Sequence, residues 1–175
     1  MPKYRRMLND IEAPYIQSLM RLIETQSKTT LANWAISYAE AHLLPIYEKS
    51  YPNDPRPRAA LEAAREWLDG KVKLPHVKGL ILEAHAAARE AEGSPAAQAA
   101  ARTIGQAAAT IHAATHSLGL ALYGALAVAY DRLGPDADWD SLSKVAANEC
   151  VKMHAALQDI AVENEPKPAK VNWKC

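Results

Sequence analysis

His85, Arg89, Arg102, His112 and His116 are the side chains best placed to do chemistry, because they stand almost alone in an alanine-rich stretch, residues 84–129. Imidazoles titrate near neutrality and ligate metals, while guanidiniums hold carboxylates and phosphates. His112 and His116 are four residues apart, as are His85 and Arg89, so on a helix each pair shares a face. Two such histidines can chelate a metal if His85 or Glu83 brings a third ligand from a neighbouring helix. Neither histidine has the adjacent glutamate of a metalloprotease helix. The plainer reading is a pair of partly buried imidazoles hydrogen-bonded between helices, and no metal or cofactor is expected. Asp54, Arg56 and Arg58 form a second charged group in NDPRPR. An unpaired buried guanidinium is costly, so Asp54 is the natural partner for Arg89 and Arg102. An internal ionic network of Asp54, Arg56, Arg89 and Arg102 is favoured over an anion or ligand pocket, since structural networks also gather such residues.

Other polar patterns read as ordinary surface or core. Arg58, Glu62, Arg65, Glu66 and Asp69 fall at three- and four-residue spacings and lace a solvated helix face. Lys71, Lys73 and Lys78 make a short basic patch without the interleaved aromatics of a nucleic-acid platform. Twenty basic and twenty acidic residues cancel, which argues against general nucleic-acid binding. Cys150 reads as an inert core residue and Cys175 as a free terminal thiol, with no C-x-x-C pair for zinc or redox work. No glycine-rich phosphate loop is present. The start lacks the apolar run of a signal peptide, and no window is apolar for long enough to cross a bilayer. A cytoplasmic protein without a membrane partner is therefore expected.

The elements that must carry these groups are helices throughout. Pro14 opens a first helix with Ile16, Leu19, Met20 and Ile23 on one face. SKTT supplies hydroxyl caps for a second, carrying Leu31, Trp34, Ala35, Tyr38 and Leu43, which Pro45 should kink or end. YPNDPRPR at 51–58 is a loop in which Asp54 can cap a third helix that stops at Gly70. A fourth helix is predicted over roughly 75–92, and Ser94-Pro95 starts the next. Continuous helix over the 38 residues from Pro95 to Arg132 would span roughly 57 Å. A domain of this size has a radius of gyration near ~16 Å. A break is therefore predicted between His112 and Gly119, and Gly134-Pro135 ends the helix that follows. Asp136 or Asp138 caps the last helix, with Leu142, Val145, Met153, Leu157 and Ile160 on its apolar face. The expected fold is all-α: one domain over 1–163, an array of about seven mostly antiparallel helices, then a loose tail over 164–175 in which Trp173 is a possible anchor.

The segments NDPRPRAALEAAREWLDG, AHAAAREA, AAARTIGQA and TIHAATHSLGLALYGA resemble the all-helical immunity-like proteins associated with bacterial polymorphic toxin systems. The resemblance covers roughly residues 31–130 and rests on Trp34, Asp54, Arg56, Pro57, Arg58, Trp67, His85, Arg89, Arg102, His112, His116 and Tyr123. Gln106 stands where a histidine is usual in that family. The resemblance implies a non-enzymatic protein that occludes a protein partner, a toxin. The residues' own alternative is a small-molecule- or metal-binding helical protein, with an enzyme included in that class. It would use an inter-helical site drawn from Asp54, Arg56, Arg58, His85, Arg89, Arg102, His112, His116 and Tyr123. The flat alanine faces can serve a homodimer as readily as internal packing.

Overall fold

The computed structural model describes residues 3–174, so the expected terminal thiol of Cys175 lies outside them. Among the described residues every regular element is a helix and no strand occurs. Helix α1 (Pro14–Ile23) has proline in its first turn and buries Ile16, Leu19, Met20 and Ile23. Helix α2 (Lys28–Tyr38) is capped by Ser27, whose Oγ accepts the Thr30 N–H at 3.2 Å. The chain does not stop before Pro45. A widened π-turn over Ala39–Leu43, closed by the Leu44 N–H on the Ala39 carbonyl, leads directly into α3 (Leu44–Ser50). Proline donates no N–H and crowds the carbonyl four residues back; a turn with one extra residue absorbs that misfit.

At the proline-rich loop, Asp54 Oδ1 accepts the Arg56 N–H at 3.1 Å, a side-chain turn that launches α4 (Arg56–Leu68). Gly70, at φ +74°, ends it in the left-handed conformation. Helices α5 (Leu74–Glu90) and α6 (Pro95–Ala109) follow. The rod then breaks, as its length requires, three residues ahead of the predicted window: α6 ends at Ala109, and a turn and a 3₁₀ segment over Ala114–Leu118 follow. A second π-turn, Leu120–Gly124, opens α7 (Ala125–Leu133), which Gly134 ends at φ +84°. Helix α8 (Trp139–Ile160) is capped by Asp138, which accepts the Ser141 N–H at 2.9 Å.

Helix α6 is the axis of the fold. Eleven of its fifteen residues are buried, seven of them alanines, and α2, α3, α4, α5 and α7 all pack against it. Alanine makes this possible, because five neighbours can surround one helix only where side chains are short. Helix α8 closes the other side against α7, α1 and α2. Trp34 locks that closure: it is 2 % exposed, and its indole N–H donates to the Met153 carbonyl of α8 at 3.0 Å. The buried stripe of α8 is Leu142, Ala146, Glu149, Cys150, Met153 and Leu157. Val145 sits half-buried at its edge, and Ile160, expected on the apolar face, is exposed where the helix runs out. Past α8 the chain is without helix yet has fixed partners. The Ala169 N–H donates to the Gln26 carbonyl at 2.8 Å, and the Trp173 indole donates to Glu24 at 2.6 Å.

Candidate functional site

The proline-rich corner assembles around Asp54. Its carboxylate accepts the Tyr47 hydroxyl at 2.6 Å, Arg56 Nε at 2.9 Å and Arg56 Nη2 at 2.8 Å. Arg56 then turns its outer edge to Glu90 of α5, with Nη2 donating at 2.6 Å. Arg58 pairs with Glu48 on the neighbouring flank. The guanidinium of Arg56, first of all, and then the Tyr47 hydroxyl hold the Asp54 carboxyl down at about 2. Burial, followed by its bond to Asp54, raises the Tyr47 phenol. This is the ionic lock expected of the loop, with a different membership. Arg89 is exposed and Arg102 half-buried, and among the described residues neither joins an ion pair with Asp54. Helical geometry gives the reason: adjacent residues on α5 point about 100° apart, so Glu90 rather than Arg89 faces the corner.

The three histidines gather at a separate place, where α5, α6 and the break after α6 meet. His85 of α5 lies flat against α6 at Gly105, where a Cβ would fall 2.5 Å from its Cε1. Burial lowers its pKa, and the charges of Arg102, Arg89 and His116 lower it further. His116 Nδ1 lies within hydrogen-bond distance of Gln106 Oε1, at 2.8 Å. His112 meets the His116 ring at 5.5 Å between centroids. Burial lowers both pKa values. His112 Nδ1 is buried without a hydrogen-bond partner among the described residues. A metal would need a third ligand here, and among the described residues no three His, Cys, Asp or Glu side chains come together to hold one. Tyr123 is half-buried on the second π-turn and makes no side-chain hydrogen bond among the described residues.

A third polar centre has no counterpart in the sequence reading. Glu149 of α8 is 2 % exposed, and its Oε1 accepts the Tyr38 hydroxyl at 2.5 Å. Burial first, and then this bond, raises the Tyr38 phenol strongly. Oε2 is buried without a hydrogen bond; Arg132 and Lys152 stand 3.6 and 3.9 Å away. The available signal was positional, a glutamate at the spacing of Leu142, Ala146, Met153 and Leu157 on an otherwise apolar stripe. The adjacent Cys150 is buried, with its thiol pushed up to about 12, and so is an inert core group.

Stability is expected to fall on acidification in two stages. The three imidazoles have folded pKa values below the ordinary 6.5, so the unfolded chain takes up protons that the folded chain resists. Their contribution is complete above pH 6.5 and is lost as the pH falls below it. Asp54, lowered from 3.8 to about 2, contributes above 3.8 and is lost between there and 2. A shift of that size at a partly solvated pair amounts to about 1 kcal/mol after screening. Urea midpoints of the wild type and of Asp54→Asn across pH 2 to 8 check this. The variant should show a smaller lower stage, since Glu90 and Asp138 are also held below the ordinary carboxylate range, and keep the upper one.

Fold and side chains together define an all-helical protein built on a buried alanine axis, with an ionic corner, an imidazole cluster and a buried carboxylate among its polar groups. Residues 21–156 match the family model described as Imm-5 like putative immunity protein, and the chain belongs to that family. No curated protein and no solved structure matches it. Among the described residues no helix is long and apolar enough to cross a membrane.

Proposed function

We propose that this protein neutralises a toxin by occlusion, binding it with a rigid helical body and contributing no chemistry of its own. Membership of the immunity family over residues 21–156 is the observation that carries this reading. The close-packed alanine axis supports it, because a body of this kind changes shape little on binding. So does the ionic corner: Asp54 and Arg56 are occupied with each other, with Tyr47 and with Glu90, which suits a structural lock more than a vacant anion pocket. Zero formal net charge with many exposed ions of both signs favours a protein partner over nucleic acid, with charge complementarity setting specificity. The protein acts in the cytoplasm on this reading.

Co-expression with each product of the adjacent genes tests it. One neighbour should arrest growth alone, lose that effect when this chain is present, and co-purify in a fixed ratio. The complex should also melt at a higher temperature than either part, since a ligand that binds only the native state stabilises it. If no neighbouring product is toxic or bound, the reading fails.

A further inference from the structure

The buried carboxylate of Glu149 lies at the base of a cleft of about 290 Å³ between the α2–α3 rod, α7 and α8. We propose that this cleft receives the guanidinium of an arginine side chain presented by a protein partner, with Glu149 as its acceptor. The identity of the partner as a protein rests on the immunity reading; the chemistry of the site does not.

Glu149 is nearly inaccessible, yet only one of its oxygens is hydrogen-bonded. Buried polar atoms are ordinarily satisfied, and a carboxylate oxygen can be satisfied only by a donor. The two nearest cations do not supply one. Arg132 and Lys152 reach in from the rim with side chains 50 % and 58 % exposed, and their nitrogens stop at 3.6 and 3.9 Å. Lys49, the other cation of the cleft, is already paired with Asp131. What Glu149 lacks is a well-directed N–H, and Arg132, half-exposed and 3.6 Å from Oε2, is the group that must swing aside to admit one.

The walls fit an arginine stem. Ala41, Pro45, Ile46 and Val128 give the cleft one apolar wall suited to three methylenes beneath a charged head, beside a polar side made of His42, Lys49, Asp131 and Arg132. One wall is the first π-turn, a widening often found where a helix serves a site. The volume lies just below the roughly 300–1,000 Å³ range of ligand pockets, the size of a side chain rather than of a cofactor. A guanidinium suits the place better than an ammonium: it is more weakly hydrated, its planar fork can serve two acceptors, and arginine is enriched among interface anchors.

The test is an NMR titration of the full chain with N-acetylarginine methylamide, beside the citrulline analogue that keeps the shape and loses the charge. The arginine probe should give saturable shifts confined to residues 41–46, 128–132 and 149. The citrulline probe should bind about tenfold more weakly, and Glu149→Gln should weaken the arginine probe by a similar factor. Arg132→Ala removes the competing guanidinium and should tighten binding severalfold; it also decides the matter should Glu149→Gln fail to fold. Equal binding of the two probes, shifts elsewhere on the molecule, an unaffected Glu149→Gln or weaker binding by Arg132→Ala would overturn the proposal. Because the probe needs no toxin, absence of a toxic neighbour leaves this result standing, and a captured toxin does not rescue a failed titration.

Discussion

Trp34→Ala is expected to destabilise the protein by about 3–5 kcal/mol, the largest loss from any single substitution considered for this chain. The indole is 2 % exposed and spans from α2 to the Met153 carbonyl of α8, so truncation opens a cavity at the seam that closes the bundle. A domain of this kind has roughly 5–15 kcal/mol of stability in all, so the variant sits near the limit of folding. Trp34→Phe separates the contributions: it keeps most of the buried ring and removes the hydrogen bond, and should cost about 1 kcal/mol beyond its smaller volume change. Urea denaturation followed by far-UV circular dichroism measures both. A loss below about 1 kcal/mol for Trp34→Ala would mean that α2 and α8 are not joined through this residue.

How much of the fold could be read beforehand depended on whether the cause was local. The caps at Ser27 and Asp138, the left-handed glycines at 70 and 134, and the existence of a break between α6 and α7 follow from one or a few neighbouring residues and from a length that a compact domain cannot accommodate. The π-turn before Pro45 was not legible, because proline states that a helix is in difficulty but not whether it ends or widens. The decision is tertiary. Continuing the rod buries Leu43, Leu44, Ile46 and Tyr47, and ending it would forfeit that burial.

The polar groups divide along the same line. That Asp54 and Arg56 belong together was visible in NDPRPR, but the second acid was not, since choosing between Glu90 and Arg89 requires the rotation of α5 about its axis. The histidines were visible as rare residues in an alanine field, but their packing against Gly105 and Gln106 depends on which turns of α5 and α6 meet. Glu149 was the least legible. Nothing local distinguishes a glutamate on a solvated face from one on the buried face of an amphipathic helix until the phase of that helix is fixed. The stripe read from Leu142, Val145, Met153, Leu157 and Ile160 already contains position 149 by helical spacing, but a single glutamate on it does not say whether its carboxylate is buried there or reaches round to solvent.

Gly105→Ala should cost about 1 kcal/mol net, although replacing a mid-helix glycine by alanine ordinarily gains about 0.5–1 kcal/mol. The sign is set by His85. A Cβ at 105 would fall 2.5 Å from Cε1 and 2.7 Å from Nε2 of the imidazole, distances that require one of the two helices or the ring to move. Overpacking of that kind costs about 1–3 kcal/mol, which exceeds the helical gain. Gly79, on α5 with nothing within 4 Å of its would-be Cβ, is the control, and Gly79→Ala should stabilise by the full helical increment. The double variant His85→Ala with Gly105→Ala should recover most of the loss relative to His85→Ala alone. The coupling between the sites would then be of the 0.5–3 kcal/mol size found for residues in direct contact. Simple additivity would show that α5 and α6 do not approach through this ring. Recovery would show that the imidazole, whatever it does in the cell, is part of how the alanine axis is packed.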